Sequence, residues 1–173
     1  GTYALDANTT ASDNTAIGYA SLSANITGTG NVASGFRALQ FNTTANNNTA
    51  VGFYALYANT TGTRNTALGN NSLDANTTAS DNTAVGSAAL GLNTTGANNV
   101  AIGSLALDAN TTASDNVAIG TLSLSSNTTG NLNVAVGGQS LKANTVGDRS
   151  VAIGYQALSA QNPSSNADMY NTA

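Results

Sequence analysis

A glycine recurs every seventeen residues along the whole chain, and a leucine follows each of these glycines four residues later. The glycines are Gly1, Gly18, Gly35, Gly52, Gly69, Gly86, Gly103, Gly120, Gly137 and Gly154. The leucines are Leu5, Leu22, Leu39, Leu56, Leu73, Leu90, Leu107, Leu124, Leu141 and Leu158. A unit of seventeen residues is too short to bury its own apolar side chains, so repeats of this length must stack on their neighbours. The period therefore predicts a solenoid of ten stacked coils with a column of leucines in its core.

Within each repeat, the apolar residues alternate as they do in β-strands. Counted from the glycine as position 1, positions 15 and 17 are mostly aliphatic or β-branched and flank an alanine, as in Val117, Ala118 and Ile119. This alternation is typical of a strand with one buried face, and we expect positions 15 and 17 to face the core and the alanine to face outward. The leucine predicts a second strand, in which Leu90 and Leu92 share a face. Segments rich in Asn, Gly and Thr separate the strands and predict turns.

These features predict an all-β fold, a parallel β-solenoid or β-roll with two short strands per coil. We expect one solenoid domain over residues 1–173, with nine regular coils over 1–153 and a tenth coil over 154–173. The tenth coil contains the single proline of the chain, and its motif resumes four residues late, which indicates an insertion. Neither end shows a capping repeat, so we expect the chain to be a segment of a longer rod.

Two asparagines recur in almost every repeat, at positions 8 and 14. In-register stacking would place identical side chains above one another, and stacked amides can hydrogen bond from coil to coil. Position 8 therefore predicts a structural ladder of Asn8, Asn25, Asn42, Asn59, Asn76, Asn93, Asn110, Asn127 and Asn144. A second ladder is expected at position 14, from Asn14 to Asn133.

The composition removes most classes of enzyme. The chain has no His or Cys, and all 8 of its acidic residues are Asp, so the usual general bases, thiolate nucleophiles and zinc ligands are missing. We therefore expect no enzymatic activity, no cofactor and no metal. A net charge of -4 with 4 basic residues argues against a nucleic-acid partner. The apolar runs are too short for insertion into a membrane.

Three surfaces are candidates for contacts with other molecules. The small-residue column at position 16 is the candidate interface between chains, represented by Ala16, Ala50, Ala84 and Ala118. A stripe of aromatic residues in the first four coils is the candidate binding surface, represented by Tyr19, Phe36, Arg37, Phe53 and Tyr54. This stripe could bind carbohydrate or a protein surface, or it could pack between chains. The insertion of the tenth coil, with Pro163 and Tyr170, is the third candidate.

Short motifs in the repeats resemble those of a known family. The segments 150–154, 99–103 and 14–18 read SVAIG, NVAIG and NTAIG, and they resemble the S-V-A-I-G signature of trimeric autotransporter adhesin heads of the YadA type. The spacer between them, read as Ala-Leu-x-x-Asn-Thr-Thr-Gly, is similar to repeats of bacteriophage tail fibres and other bacterial surface fibres. The resemblance implies a left-handed β-roll, three chains around a common axis, and an adhesive rod that is extracellular, on a cell surface or part of a virion tail fibre.

Three hypotheses for the function follow. The first is a structural and adhesive fibre segment, extracellular and non-catalytic, whose partners are copies of itself and a host surface protein or carbohydrate. The second is a filament whose subunits stack end to end by pairing of their strand edges. The third is a binder of ice or crystal surfaces, because the threonine columns at positions 9 and 10 could present a flat, regular array.

Overall fold

The repeats stack into a single parallel sheet in the computed structural model, which describes residues 1–165 and 168–173. In chain order, the nine strands of the described residues are β1 (Thr15–Ile17), β2 (Val32–Ser34), β3 (Thr49–Val51), β4 (Thr66–Leu68), β5 (Thr83–Val85), β6 (Val100–Ile102), β7 (Val117–Ile119), β8 (Val134–Val136) and β9 (Val151–Ile153). Each strand pairs in parallel with the next at a register of seventeen residues, as Ala84 does with Ala101. The predicted all-β parallel solenoid is confirmed, and the described residues form nine paired strands where ten coils were predicted.

The alanines of the strands face the core, and their aliphatic neighbours face outward. Ala50, Ala84 and Ala118 are completely buried within the chain, and Ala16 packs against the same core. The predicted orientation of the strands is therefore wrong, and so is the assignment of this alanine column as an interface between chains. The physical reason is the thinness of the coil. The leucine column fills the interior from the other side, and close packing leaves room only for a methyl group opposite it.

The leucine segment forms left-handed turns instead of the predicted second strand. Leu90 has a φ of 51°, and Ala88 has a φ of 53°. The adjacent residues Ala89 and Leu90 are both completely buried, whereas Leu92 is 55% exposed, and the alternating faces of an extended strand do not allow this pattern. The coils remain hydrogen-bonded here, since the Leu90 N–H donates to the Ala106 carbonyl at 3.0 Å. Each coil thus combines one strand with one left-handed turn, and the expectation of two strands per coil is wrong.

The core consists of columns of leucine and alanine. The predicted core leucines from Leu22 to Leu141 are completely buried, and Leu5 and Leu158 of the end coils pack against them. Each fully buried leucine contributes about 1.5–3 kcal/mol before the loss of chain entropy is subtracted. The leucine column is therefore the main apolar contribution to stability, as the seventeen-residue period predicts.

The asparagines at position 8 form the predicted amide ladder inside the fold. Asn76 Nδ2 donates to Asn59 Oδ1 of the preceding coil at 2.9 Å and to the Ala79 carbonyl of its own coil at 3.1 Å. The contact between amides recurs at every step from Asn8 to Asn127. Because these side chains are buried, the bonds also satisfy amides that would otherwise destabilise the interior.

The ladder is interrupted at its last predicted step. Asn144 Nδ2 donates to the Gly147 carbonyl at 2.9 Å, and Asn144 Oδ1 accepts a bond from the Gly147 N–H at 3.2 Å. Asn127 Oδ1 is buried and has no hydrogen-bond partner among the described residues. The predicted ladder therefore includes Asn144 by position but not by a bond to its neighbour.

The asparagines at position 14 connect successive coils through the backbone. Asn82 Oδ1 accepts a bond from the Asn99 N–H at 2.9 Å, and Asn82 Nδ2 donates to the Gly96 carbonyl at 2.9 Å. The same carbonyl accepts a second bond from Asn93 Nδ2 of the first ladder, also at 2.9 Å. The two asparagine columns are thus joined through one carbonyl per coil. In the second ladder, most hydrogen bonds join an asparagine side chain to the backbone and few join two side-chain amides.

The tenth coil departs from the regular register. Val151 bridges to Thr172, a separation of 21 residues in place of seventeen. Pro163 Cγ and Met169 Cγ lie beside Gly147, at 2.9 and 3.2 Å from the position that a Cβ on this glycine would take. Within the predicted insertion, residues 166 and 167 lie outside the described residues.

Candidate functional site

The outward side of the sheet is mostly apolar, with threonine or serine at five of its eighteen positions. We call it the outer sheet face and define it as positions 15 and 17 of strands β1 to β9. Its aliphatic side chains that are more than one third exposed are Ile17, Val32, Val51, Leu68, Ile102, Ile119 and Ile153. The nine strands contain no charged residue. At about 4.8 Å per strand and about 3.3 Å per residue, the face measures roughly 40 by 10 Å, and an exposed apolar area of a few hundred Å² is typical of an interaction surface.

In-register stacking brings the predicted aromatic stripe together. Tyr19 and Phe36 stack with ring centroids 5.3 Å apart and an interplanar angle of 13°. Phe36 and Phe53 repeat this arrangement at 5.3 Å and 12°. The edge of Tyr54 meets Phe53 at 4.6 Å. Residues at one position of successive coils therefore become neighbours, as the period predicts.

Arg37 contacts both this stack and the ring of Tyr54. Its Nη1 donates to the Tyr54 hydroxyl at 3.1 Å, and its Cζ lies 5.3 Å from the centroid of Phe36 and 5.8 Å from that of Tyr54. These distances are within the range of cation–π attraction. All five residues predicted for this surface thus belong to one cluster.

Pro163 and Tyr170 lie apart from this cluster, in the tenth coil. Tyr170 is exposed, and the guanidinium carbon of Arg149 lies 5.9 Å from its ring centroid. Arg149 also forms an ion pair with Asp168. The two predicted binding residues of the insertion therefore sit at the opposite end of the stack from the aromatic stripe.

A surface pocket of about 270 Å³ opens beside the aromatic stack. We number the coils from their glycines, so that coil one comprises residues 1–17, coil two 18–34 and coil three 35–51. Coils one and three line the pocket with Tyr3, Asp6, Arg37, Gln40 and Phe41. Coil two contributes the small side chains of Ala20, Ser23 and Ala24 and, at its edge in sequence, the ring of Tyr19. At positions 3 and 6, coil two has a smaller residue than coils one and three, so Ala20 and Ser23 leave a gap. We call this gap the aromatic pocket.

The sequence prediction missed Asp6, Ser23 and Gln40 as members of a site. These residues differ from coil to coil at position 6, whereas the prediction looked for residues that are alike at one position in successive coils. The pattern of a small residue between two large ones, read at one position in three successive repeats, could have identified them.

Two aspartates at position 6 approach each other across a glycine. A Cβ added to Gly91 would stand 3.0 Å from Asp108 Oδ1 and 3.6 Å from Asp74 Oδ1. Burial raises the pKa of Asp108 above its usual value, and the charge of Asp74 raises it further. Placing the acids in alternate coils therefore reduces their repulsion without removing it.

We expect the substitution Asp108→Asn to stabilise the fold at pH 7. A carboxyl whose pKa is raised in the folded state stabilises the fold at low pH, and this contribution is lost as the pH rises through the raised value. The variant should therefore melt higher than the parent at pH 7, by about 2 °C at most because Asp108 is partly exposed. The difference should vanish below about pH 3.9, the usual pKa of aspartate.

Thermal unfolding followed by circular dichroism at both pH values measures this difference. Asp115→Asn is the control, because it removes the same charge from an exposed position in the same coil. An advantage of Asp108→Asn that is as large at low pH as at neutral pH would contradict the electrostatic explanation.

The threonine columns differ in their exposure. Thr60 Oγ1 donates to the Thr77 carbonyl of the next coil at 3.0 Å, and the same bond recurs along position 9 from Thr43 to Thr128. The neighbouring Thr78 at position 10 is exposed. The threonine hydroxyls at position 9 are bonded within the fold, so only the column at position 10 remains available for the ice-binding hypothesis.

The described residues lack the arrangements that metal sites and membrane-spanning helices require. Among them, no three acidic side chains converge as a metal ion would require. No helix in the described part of the chain is long and apolar enough to cross a membrane. The groups that the structure does bring together are an apolar face and an aromatic pocket with polar walls.

Comparisons with known proteins return no relative of this chain, since no protein-family model, no curated protein and no solved structure matches it. The outer sheet face and the aromatic pocket are therefore the features from which its function is inferred.

Proposed function

We propose that this chain is a structural and adhesive segment of an extracellular fibre, that it acts without catalysis, and that it associates with copies of itself through the outer sheet face. The observation that carries the proposal is the uncharged outer sheet face, on which seven of the nine strands present an aliphatic side chain that is more than one third exposed. Water contact with such a strip is unfavourable at about 25 cal/mol per Å² of apolar area, so covering it stabilises an assembly.

A second copy of the chain is the partner that fits this strip best. The strip repeats at one coil spacing along its whole length, and a copy presents the same length, the same spacing and the same lack of charge. Most soluble assemblies of one chain are closed and symmetric. The resemblance to trimeric adhesin heads favours three copies, now associated through positions 15 and 17 rather than through the alanine column.

The interior supports the role of a rigid rod. From coil one to coil eight, two asparagine columns and a leucine column link each coil to the next by the same contacts, so a coil can be added there without a change in its neighbours. Such a rod can hold a binding surface away from the structure that carries it. The lack of His, Cys and Glu is consistent with a function in binding and support.

The double substitution Ile102→Lys and Ile119→Lys tests the association. We expect the parent chain to have a fixed multiple of its 17.1 kDa mass in solution, threefold if the resemblance holds. The double variant should have the mass of one chain, because an interface that covers these positions would bury two unpaired ammonium groups. Light scattering coupled to size-exclusion chromatography measures the mass, and circular dichroism verifies that the β-structure is retained.

The matched control is Thr95→Lys with Thr112→Lys, which adds the same charges to exposed sites of the same two coils. The control should keep the parent's mass. A parent chain that remains at 17.1 kDa at every concentration would overturn self-association. A mass that grows without limit as the concentration rises would instead support end-to-end filaments.

A further inference from the structure

We infer that the aromatic pocket of coils one to three binds a neutral saccharide, one sugar ring of a glycan. The inference rests on the proposed adhesive function for its biological setting, but the pocket is built within a single chain and does not require the assembly. Four observations carry it, namely the shape of the gap, the charges of its walls, the unpartnered polar atoms beside it and the exposed aromatic rings around it.

The shape of the pocket matches a flat ring of modest size. Coils one and three are separated by two coil spacings, about 9.6 Å, and the small side chains of Ala20, Ser23 and Ala24 lie between them. The volume of about 270 Å³ is just below the range of roughly 300–1,000 Å³ that is typical for drug-sized ligands. A single pyranose ring therefore suits the space better than a larger ligand.

The charges on the two sides of the pocket are opposite, so they favour no net charge on a ligand. Asp6 lines one side and Arg37 lines the other. The carboxylate disfavours an anion, and the guanidinium disfavours a cation, because like charges at short range repel. A neutral ligand with several hydroxyl groups can donate to the carboxylate and accept from the guanidinium at the same time.

Two polar atoms at the pocket lack the partners that buried polar atoms normally have. Arg37 Nε and Gln40 Oε1 are shielded from solvent and have no hydrogen-bond partner within the described residues. Both side chains line the pocket. A small rotation of either side chain toward the gap would let a sugar hydroxyl supply the missing bond, which removes a penalty of about 1–3 kcal/mol for each unpaired group.

Exposed aromatic rings complete the chemistry of a saccharide site. Tyr3 is 55% exposed, and Tyr19 and Phe41 are each 43% exposed, although large aromatic rings normally gain stability by burial. The apolar C–H face of a pyranose can cover such a ring while its hydroxyls reach the polar wall. The same rings without polar groups between them would instead favour a purely apolar ligand.

Saturation-transfer NMR with methyl glycosides of glucose, galactose, mannose and N-acetylglucosamine tests the inference. We expect at least one of these neutral probes to bind the parent chain. Ser23→Tyr should abolish the signal by filling the gap, and this variant is expected to fold because Tyr57 occupies the equivalent position two coils later. Asp6→Ala should weaken binding about tenfold, the effect of losing one hydrogen bond to a charged group.

Ser125→Tyr is the matched control, because it makes the same change at the same position of coil eight, and it should bind the probe as the parent does. The inference is overturned if none of the four glycosides binds, if Ser23→Tyr binds as well as the control, or if sialic acid or choline competes better than the neutral sugars. The mass of each sample is measured in parallel. Lost sugar binding with an intact assembly then concerns the pocket alone, and a change of mass concerns the proposed self-association.

Discussion

Replacing Gly86 with alanine is expected to lower the free energy of unfolding by about 3 kcal/mol or more. Gly86 has a φ of 132°, a backbone conformation that side chains with a Cβ rarely adopt. A Cβ at this position would also stand 2.7 Å from both the carbonyl carbon and the carbonyl oxygen of Gly103 in the next coil. Backbone strain and the collision with the neighbouring backbone both destabilise the variant. The collision cannot be relieved by moving the two glycines apart, because that would break the hydrogen bonds around the strand.

Urea denaturation followed by circular dichroism, at one fixed protein concentration, measures this loss. Gly138→Ala is the control, since a Cβ there would meet the Tyr155 ring at an ordinary 3.4 Å, and we expect a change within about 0.5 kcal/mol. A loss for Gly86→Ala as small as that of the control would show that the coils can separate locally, and the close stacking of the glycine column would then be unnecessary for stability.

The fold class could be predicted from the period because stacking is a property of the repeat and not of any single contact. Which face of each strand is buried could not be predicted. In the segment of Val117, Ala118 and Ile119, hydrophobicity favours burial of the two aliphatic residues, whereas the volume available opposite a leucine column admits only the alanine. An alternating strand can bury either the aliphatic residues or the alanine. The width of the coil decides which of them faces the core, and this width depends on the left-handed turn at the leucine.

The sequence pattern also could not predict that turn. A left-handed conformation is unfavourable for leucine by roughly 1–2 kcal/mol, so Leu90 and its equivalents predict a strand on local preferences alone. Complete burial of the side chain and the bond from its N–H to the next coil offset this strain. Tertiary packing thus overrides the local preference in every coil, and only the three-dimensional stack reveals it.

The candidate site was predictable to the extent that it follows the repeat. The stack of Tyr19, Phe36 and Phe53 was expected, because equal positions in adjacent coils must touch. The aromatic pocket was not, since it arises where coil two departs from its neighbours. Ser23 carries no chemical signal by itself, and its importance lies in being smaller than the residues of coils one and three.

The second large effect is expected at the asparagine column of position 14. Substitution of Asn82 by alanine should lower the free energy of unfolding by about 2–4 kcal/mol, because it leaves the buried N–H of Asn99 without an acceptor and removes one of two donors to the Gly96 carbonyl. Asn70→Ala is the control, at an exposed site in the same coil. Urea denaturation should separate the two variants clearly.

Hydrogen exchange locates the effect within the stack. The Asn99 amide should exchange faster in Asn82→Ala, because its acceptor is the missing side chain, and the Asn82 amide should keep its protection, because its own acceptor, Asn65 Oδ1, is unchanged. This asymmetry follows from the direction of the bonds, each of which runs from a backbone N–H to the asparagine one coil earlier. Equal loss of protection on both sides of the substitution would show general loosening of the coils and would contradict the role of this column as a directional series of bonds that joins each coil to the next.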